Sequence, residues 1–315
     1  WMKWSSTGWK NLKVSRCLVT GGAGFIGSNL VDALISKNHE VLVIDDLSTG
    51  VRENVNPQAD FVKHDLCNNI PYFIKKGLES IDFVFHLAAF SRVEPSIHNP
   101  LKADKINVGG TVGLLKACAD AKVKKVMFTS SGSVYGNAKT IPTSEKSALN
   151  PMSPYGLQKQ IGEQYCKLFY QLYGLDSVVF RYANVYGPRQ PLTGTYCNVM
   201  GIFTQQRKDK KPLTIVGTGK NTRDYIHVAD VVNANLLAMI NTKASKADVF
   251  NLGSGVEYSV NDVAKMVGGK TTSIPERVEP KRTLLNSEKA NKLLGWEPTI
   301  NLKDWVKEYK KEQGI

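Results

Sequence analysis

The stretch from Thr20 to Gly27 reads Thr-Gly-Gly-Ala-Gly-Phe-Ile-Gly, and its glycines at 22, 24 and 27 have the spacing G-x-G-x-x-G. A short apolar run, Cys17-Leu18-Val19, precedes it, and a helical pattern from Phe25 to Ser36 follows. In such a unit the glycines allow a tight turn, a close approach to a pyrophosphate and close packing of helix on strand. The N-terminus of the helix then faces the phosphates with free N–H groups. The stretch therefore predicts a dinucleotide-binding loop.

An acidic residue, Asp45, ends the second predicted strand, 21 residues beyond Gly24. A carboxylate at this place accepts hydrogen bonds from the ribose hydroxyls and repels a 2′-phosphate. NAD is therefore expected rather than NADP, and Asp46 adds to the repulsion. A helix or turn cap is the alternative for Asp45. Asp65 is left open between a bond to the adenine amino group and a turn cap.

Short apolar runs without polar alternation recur through the first half of the chain, at 17–19, 41–44, 83–87, 126–128 and 178–180. Helical patterns separate them, which is typical of a parallel sheet covered on both faces. From about residue 182, prolines and glycines crowd together. We predict an α/β fold, a Rossmann-type doubly wound parallel sheet with a smaller, mixed α/β substrate-binding lobe. The predicted division is an extension or tag remnant (1–15), an NAD-binding domain (16–181 plus about 222–253) and the second lobe (about 182–221 plus 254–315).

Composition excludes several classes of protein. No apolar run approaches the roughly 20 residues of a membrane-spanning helix, and the first fifteen residues lack the apolar segment of a signal peptide. The net charge of +13 comes from scattered lysines without interleaved aromatic residues, so nucleic-acid binding is not expected. A positive field would attract an anionic small substrate. Five cysteines without Cys-x-x-Cys argue against disulfides and a metal site and favour a cytoplasmic protein.

Tyr155 and Lys159 are four residues apart, so the two side chains share one face of a helix. A tyrosine titrates near about 10, and a neighbouring ammonium would lower its pKa enough to make a base. The spacing alone is more typical of a solvated surface pair than of a catalyst, but its place downstream of the glycine loop favours catalysis. His86, inside an apolar run, is interpreted as a core histidine bonded to backbone rather than as a catalyst.

These pieces, in this order, resemble the extended short-chain dehydrogenase/reductase family, and in particular its nucleotide-sugar 4-epimerases. The resemblance runs from about Cys17 to Trp305. One such segment is weak support for the resemblance, whereas nine segments in the same order along the chain are strong support. The segments are 20–27, 45–50, 86–89, 107–111, 130–136, 153–159, 181–189, 223–228 and 294–296.

The resemblance implies bound NAD and a catalytic group of three. Ser131 and Tyr155 would contact the sugar 4-hydroxyl, and Tyr155 would act as the base. Lys159 would bind the nicotinamide ribose and, with the oxidised ring, lower the tyrosine pKa. Beside Tyr155 and Lys159, the implied cofactor contacts are Gly21, Gly24, Phe25, Ile26, Gly27, Asp45, Asp46, Leu47, Ser48, Gly50, Asp65, Leu66, Leu87, Ala88, Ala89, Asn107 and Ala183.

One stretch separates the chemistries within this family. The 4,6-dehydratases carry Thr-Asp-Glu where this chain has Ser131, Gly132 and Ser133. Gly132 and Ser133 supply no carboxylic acid and no carboxylate, so elimination of water loses its proton carriers. The implied reaction is 4-epimerisation of UDP-glucose and UDP-galactose. Thr283, near a position where a small residue admits an N-acetyl group, would allow UDP-N-acetylhexosamines as well.

The second lobe should hold the nucleotide end of the substrate, while Ser131 and Tyr155 hold the sugar. A surface salt bridge is an equal alternative for Arg277 and for Glu279. The implied contacts in this lobe are Asn184, Asn198, Thr214, Val216, Arg223, Arg277 and Glu279.

Other readings stay open. Family members often have a cofactor-contacting lysine where this chain has Ser91, followed by Arg92. Arg92 could instead bind the carboxylate of a UDP-hexuronate, which keeps a uronate 4-epimerase or decarboxylase possible. A non-catalytic NAD-sensing interaction protein is the alternative from another class. Dimers of this family commonly pair the tyrosine helix and the helix from Leu101, so a homodimer with a four-helix contact is implied.

Overall fold

The computed structural model describes residues 13–68, 78, 80–194, 197–277 and 279–315. Most of the predicted N-terminal extension therefore lies outside the described residues. The strands are β1 (Arg16–Thr20), β2 (Glu40–Asp45), β3 (Asp60–Lys63), β4 (Phe83–His86), β5 (Lys125–Ser131), β6 (Ser177–Tyr182), β7 (Asn184–Tyr186), β8 (Leu213–Val216), β9 (Thr222–His227), β10 (Asp248–Leu252), β11 (Glu257–Ser259) and β12 (Thr271–Ile274).

Helices connect most of these strands. Short 3₁₀-helices span Arg52–Asn54 and Gly132–Tyr135, and a π-helix spans Lys105–Gly110. The α-helices are α1 (Phe25–Ser36), α2 (Val93–His98), α3 (Pro100–Asp104), α4 (Thr111–Asp120), α5 (Pro154–Tyr173), α6 (Val199–Lys208), α7 (Val228–Ile240), α8 (Val260–Val267), α9 (Glu288–Leu294) and α10 (Leu302–Gln313). In the part of the chain that the structure describes, no helix combines the length and apolarity needed to cross a bilayer.

The main sheet has seven parallel strands in the order β10-β6-β5-β4-β1-β2-β3. Adjacent side chains of one strand enter different cores. Leu18 packs with Val84 and Phe128 on one face, and Val19 packs with Val43 and others on the opposite face, as the pleat requires. Both faces are therefore buried, which explains the uninterrupted apolar runs. The predicted Rossmann-type fold is confirmed.

The position of the crevice follows from the strand order. The chain leaves β1 towards β2 on one side, while β4 lies on the other side of β1. This reversal opens a crevice at the carboxyl ends of the strands, where ligands bind in open α/β sheets. Thr20, Asp45, His86 and Ser131 end strands at this edge.

The smaller lobe contains two short sheets. In one, β9 pairs antiparallel with β11 and parallel with β7, and in the other β8 pairs with β12. Its core includes Tyr186, Phe203 and Val263. The segment predicted to return to the first domain, about 222–253, divides between the lobes, because β9 lies in the small sheet and β10 in the main sheet. The domain boundaries themselves stay a prediction.

Candidate active site

Glycines let backbone segments meet at the start of the crevice. Gly21 has φ of +71°, and a Cβ there would lie 2.7 Å from the amide nitrogen of Ala88. A Cβ on Gly27 would lie 2.1 Å from the carbonyl oxygen of Gly21. Because both contacts are with backbone, no side-chain movement relieves them. The loop after β1 is thus held against α1 and against the segment after β4, as the glycine spacing predicts.

The N-terminus of α1 has no side-chain partner of its own. Its N-cap is Gly24, no side chain caps it, and no acidic residue stands in its first turn. Phe25 and Ile26 begin this helix and pack against the main core. The terminal N–H groups and the positive end of the helix dipole are therefore suited to a phosphate. This arrangement fits the pyrophosphate of a dinucleotide.

Asp45 ends β2 beside this loop and is 8% exposed. Its carboxylate accepts hydrogen bonds from the amides of Ala23, at 3.0 Å, and Leu47, at 2.8 Å. Burial raises the pKa of Asp45, the two amides lower it, and the charge of Asp46 raises it. A Cβ on Gly50 would lie 2.9 Å from the carboxylate. Asp45 thus caps the turn after β2, which was the alternative role considered for it. Its position at the end of β2 also suits a hydrogen bond to a ribose hydroxyl.

The remaining predicted cofactor residues surround this crevice or support it. Asp46 accepts from the amide of Ser48 at 2.8 Å, and Asp65 accepts from the amide of Cys67 at 2.9 Å, so Asp65 forms the turn cap considered for it. The adenine role of Asp65 stays a prediction. Partly buried positions near the same edge are Leu47, Leu66, Leu87, Ala88, Ala89 and Ala183.

Asn107 and His86 support the segment after β4. Asn107 accepts from the amide of Phe90 at 2.8 Å and donates to the carbonyl of Phe90 and to Gln158. His86 is 2% exposed and bonds the hydroxyls of Thr20, at 2.8 Å, and Thr111, at 2.9 Å. Burial lowers the pKa of His86 to about 3, and the charge of Lys159 adds to this. His86 is thus a neutral core histidine, although its partners are hydroxyls and not the expected backbone.

The three predicted catalytic residues come from two adjacent elements. Ser131 ends β5, and its hydroxyl accepts from the amide of Ser133 at 3.1 Å. Tyr155 lies in the first turn of α5, which Ser153 caps, and its amide donates to Ser96 of α2 at 3.1 Å. One turn later, Lys159 is 3% exposed. The fold therefore brings all three side chains to one end of the crevice.

The ammonium of Lys159 bonds the strand rather than the phenol. Its Nζ donates to the carbonyl of Thr129 at 2.8 Å and lies 5.2 Å from the ring centroid of Phe128 and 5.9 Å from that of Tyr155. Burial lowers the pKa of Lys159 to about 8, while Cys166 and Glu163 raise it. Lys159 is placed to reach the crevice beside Tyr155 without pairing with its oxygen.

The pKa of the Tyr155 phenol is affected by burial, by Ser131 and by a cation other than Lys159. Burial, the largest effect, raises its pKa, and a hydrogen bond with Ser131 and the charge of Arg92 oppose that rise. The cation that acts on the phenol in the described structure is therefore Arg92, the N-cap residue of α2. The Lys159 ammonium donates to the carbonyl of Thr129, and its expected effect on the tyrosine pKa together with the oxidised nicotinamide ring stays a prediction.

Charged residues of the second lobe pair with each other or with α2. Arg223 lies 3.1 Å from Glu279, with side chains 14% and 25% exposed, and Glu279 also accepts from Asn221 at 3.0 Å. Arg277 lies 2.6 Å from Glu94, with side chains 46% and 55% exposed. The salt-bridge alternative for Arg277 and Glu279 therefore describes their present contacts, and their role in substrate binding stays a prediction.

Other predicted substrate residues have structural contacts. Asn198 caps α6 by accepting from the amide of Gly201 at 2.7 Å, and its amide donates to Val185 and Gln190. Thr214 exchanges hydrogen bonds with the side chain of Gln206. Val216 ends β8 and Asn184 is exposed on β7. Val216 has an apolar side chain, and the side chain of Asn184 has no hydrogen bond assigned among the described residues.

Two features of the site escaped the sequence reasoning. A buried carboxylate, Glu163, pairs with Arg181 beneath the catalytic residues, and Glu94 reaches Arg277 across the lobes. The first carries a signal that could have been used, because Glu163 follows Lys159 by four residues on the same helix face as Tyr155. The second carries none, since the two residues are 183 positions apart. Within the described ranges no cluster of three or more His, Cys, Asp or Glu side chains could hold a metal ion.

Comparison with known proteins identifies the family of this chain. The profile of the NAD dependent epimerase/dehydratase family matches residues 17–253. A UDP-glucose 4-epimerase of Mycolicibacterium smegmatis is 38% identical, over 92% of this chain and 96% of its own. A crystal structure of UDP-glucose 4-epimerase with UDP-glucose from Thermotoga maritima is 37% identical, with a TM-score of 0.88 over 95% of this chain and 100% of its own.

A further solved structure concerns the cofactor. The UDP-glucose 4-epimerase of Thermus thermophilus, in complex with NAD, is 32% identical, with a TM-score of 0.85 over 95% of this chain and 99% of its own. The predicted resemblance, the enzymatic nature of the protein and the NAD cofactor are confirmed by the family. The chain belongs to the NAD dependent epimerase/dehydratase family.

Proposed function

We propose that this protein interconverts the C4 epimers of a UDP-hexose, UDP-glucose and UDP-galactose, through a transient 4-ketose. The observation that carries the proposal is the grouping of Ser131, Tyr155 and Lys159 at the carboxyl edge, with Gly132 and Ser133 beside them. This end of the site offers a base and a hydroxyl positioner but no carboxylic acid. It therefore suits oxidation and reduction at one carbon better than loss of water.

The residues act on the proton and on the geometry of the sugar. Bound NAD supplies a reversible acceptor for the hydride of C4. Tyr155 takes the proton of the 4-hydroxyl when the hydride leaves and returns it when the hydride is delivered to the other face of the ketose. Ser131, which already bonds Tyr155, holds the same sugar oxygen. With NAD bound, Lys159 would bind the nicotinamide ribose and, together with the oxidised ring and Arg92, favour the phenolate.

The second lobe must let the ketose turn while the nucleotide stays bound. Arg223 is the residue proposed to bind a diphosphate oxygen, because its largely buried side chain lies on β9 of the smaller lobe and arginine recognises phosphate by charge-assisted hydrogen bonds. Glu279, its present partner, would be released to the ribose. Thr283, partly buried beside Thr222, is a small residue that would admit an N-acetyl group at C2.

A substrate panel tests this proposal. Purified protein with NAD is incubated with UDP-glucose, UDP-galactose, UDP-N-acetylglucosamine or UDP-glucuronate, and the products are resolved by NMR. Conversion of UDP-glucose into UDP-galactose, with no net change in NAD redox state, is expected. Release of carbon dioxide, or a net consumption of reduced cofactor, would replace the proposal with another reaction of the family.

Tyr155→Phe tests the proposed base. The variant keeps the ring but removes the proton carrier, so kcat should fall by about 10²–10⁴-fold, with NAD affinity within a few-fold of wild type. Tyr173→Phe is the matched control, because Tyr173 ends the same helix and is 51% exposed. Full activity of Tyr155→Phe would support an NAD-sensing interaction protein instead.

A UDP-hexuronate is a second candidate substrate, favoured by Arg92. The guanidinium of Arg92 is partly buried and acts on Tyr155, so it lies near the reacting end of the sugar. A carboxylate at C5 would be a complementary partner. The same panel decides this point through the rate with UDP-glucuronate relative to UDP-glucose.

A homodimer is proposed from an apolar face on two helices. Leu157, Leu168 and Leu172 form one stripe along α5, spaced by 11 and 4 residues, and are 41–62% exposed. Leu101 of α3 is 84% exposed. Exposed leucines at helical spacing favour a helical partner, and a second copy of the chain is the partner proposed. We also propose, from the proposed substrate, that the protein is cytoplasmic and takes part in carbohydrate metabolism.

A further inference from the structure

A buried ion pair lies directly behind the proposed catalytic residues. Glu163 of α5 is 5% exposed and Arg181 of β6 is 4% exposed. The guanidinium donates through Nε to one carboxylate oxygen at 2.9 Å and through Nη2 to the other at 2.5 Å. Ser130 of β5 donates a short hydrogen bond to the same carboxylate. One carboxylate thus joins a helix to two strands of the main sheet.

The pair continues into a chain of buried hydrogen bonds. Arg181 donates to the hydroxyl of Tyr135 at 2.7 Å, and Tyr135 donates to Asn251 of β10 at 2.7 Å. Asn251 in turn donates to the carbonyls of Thr143, at 2.8 Å, and Asn286, at 3.2 Å. The chain therefore connects the helix that carries Tyr155 with the segment that leads back from the substrate lobe.

Stability alone gives a weak reason for this arrangement. Burying two charges costs several kcal/mol per ion, and an apolar pair of similar volume is often as stabilising or more so. Their bidentate geometry, however, fixes the distance and rotation between α5 and β6 more tightly than apolar contacts would, and the Ser130 hydrogen bond ties the same carboxylate to β5. That distance matters here, because Ser131 follows Ser130 directly and Lys159 precedes Glu163 by one helical turn.

We propose that Glu163 is a positioning residue, which uses Arg181 and Ser130 to hold Ser131 in register with Tyr155 and Lys159. The proposal rests on the catalytic roles given to those three residues under the proposed function. Glu163 does not contact the crevice itself. It acts through the strand end and through the charge that it places beside the ammonium of Lys159.

The charge of Glu163 has a specific consequence for Lys159. The groups that act on the Lys159 ammonium are Glu163 and Cys166 on its own helix, the phenol of Tyr155 and, from β4, the neutral His86. Burial lowers the pKa of Lys159 to about 8, and Glu163 is one of the two groups that raise it. Loss of the carboxylate therefore lowers this pKa further, and the unopposed Arg181 charge acts in the same direction.

Glu163→Gln in the full-length protein with NAD tests the proposal. Activity that needs the ammonium declines as pH rises through the Lys159 pKa, so the alkaline limb of the kcat/KM profile should move to lower pH by about one unit. The kcat value at its optimum should fall about tenfold or more. Ser130→Ala is the control, because it removes one hydrogen bond and keeps both charges, so its alkaline limb should stay in place.

A double variant guards against a folding defect. Glu163→Gln with Arg181→Met removes both charges and leaves no buried guanidinium unpaired. It should bind NAD and unfold near the wild-type temperature, with kcat still reduced because the register is no longer fixed. Wild-type kcat in the double variant, or an unmoved alkaline limb in a folded Glu163→Gln, would overturn the proposal. Failure of the wild-type protein to convert any nucleotide sugar would instead overturn the proposed function, and the proposal with it.

Discussion

The two halves of the crevice are built from different chemical parts. The cofactor half consists of backbone and short side chains, where Gly21, Gly27 and Gly50 let main-chain segments meet at distances that a Cβ would obstruct. The half that we propose to bind substrate, called the substrate half below, contains long charged side chains in ion pairs, with Arg223 at 3.1 Å from Glu279 and an exposed second pair at 2.6 Å. The first half is fixed by covalent geometry and the second by exchangeable contacts.

This difference indicates a division of tasks. A site formed from backbone N–H groups and a helix end binds one shape and does not adapt. An exposed ion pair can release its guanidinium to a diphosphate at a modest cost in free energy. This cost is larger the more deeply the pair is buried. A cofactor that stays bound through turnover suits the first kind of site, and a substrate that enters, turns and leaves suits the second.

The largest effect is expected from a substitution in the backbone-built half. Gly27→Ala places a methyl group 2.1 Å from the carbonyl oxygen of Gly21, so the loop or α1 must move. We expect loss of NAD binding by at least 100-fold and a destabilisation of about 2 kcal/mol or more. Isothermal titration with NAD and thermal unfolding measure the two effects.

Gly113→Ala is the matched control for this substitution. Gly113 lies exposed inside α4, and a Cβ there meets nothing within 4 Å. Alanine should therefore stabilise the helix by about 0.5–1 kcal/mol and leave NAD affinity unchanged. Normal NAD binding by Gly27→Ala would show that the loop adapts, and the contrast between the two halves would fail.

An intermediate effect is expected from the buried arginine of the substrate half. Arg223→Ala should raise KM for the UDP-sugar by about 10–100-fold, since a hydrogen bond to a charged group contributes about 1.5–3 kcal/mol. NAD affinity should not change. Arg282→Ala is the control, because Arg282 belongs to the same lobe, pairs with Glu257 and is 53% exposed. Equal KM values for the two variants would contradict the diphosphate role.

The backbone-built half could be predicted from sequence because its signals are local. The glycine spacing, the strand before it and the acidic residue at the end of β2 all depend on residues close in the chain. The strands at 16–20, 40–45 and 125–131 follow the same apolar runs that predicted them. Because the local geometry agrees with the overall fold here, the sequence pattern is sufficient to predict this half.

The substrate half could be predicted only in outline because its contacts are distant. Glu94 and Arg277 are 183 positions apart, and nothing in either local sequence indicates the other. Asn198 is predicted from the resemblance to contact substrate, and the sequence did not indicate that its side-chain oxygen also caps α6. The hydrogen bond from the Lys159 ammonium to the carbonyl of Thr129 in β5 likewise has no signal in the spacing of Tyr155 and Lys159. Side-chain partners of this kind are decided by packing, which spacing does not encode.

The smallest effect is expected at the exposed ion pair. Glu94→Gln removes the charge that holds Arg277, so the guanidinium becomes available to the substrate diphosphate. Because both side chains are about half exposed, such a pair contributes about 0–1 kcal/mol, which limits the decrease in KM to about fivefold. Added salt should diminish the difference between variant and wild type, since screening weakens the pair in the wild type.

A double-mutant cycle makes this last effect specific to the pair. Arg277→Ala should raise KM, and Glu94→Gln added to it should change nothing further, because the carboxylate acts only by occupying the arginine. Glu53, an acidic residue in the exposed 3₁₀-helix Arg52–Asn54, provides a charge-matched control as Glu53→Gln. A lower KM from Glu53→Gln, or from Glu94→Gln without Arg277, would assign the effect to net charge. The KM for the substrate would then depend on the overall electrostatic field of the substrate half. Exchange of ion-pair partners would not distinguish this half from the cofactor half.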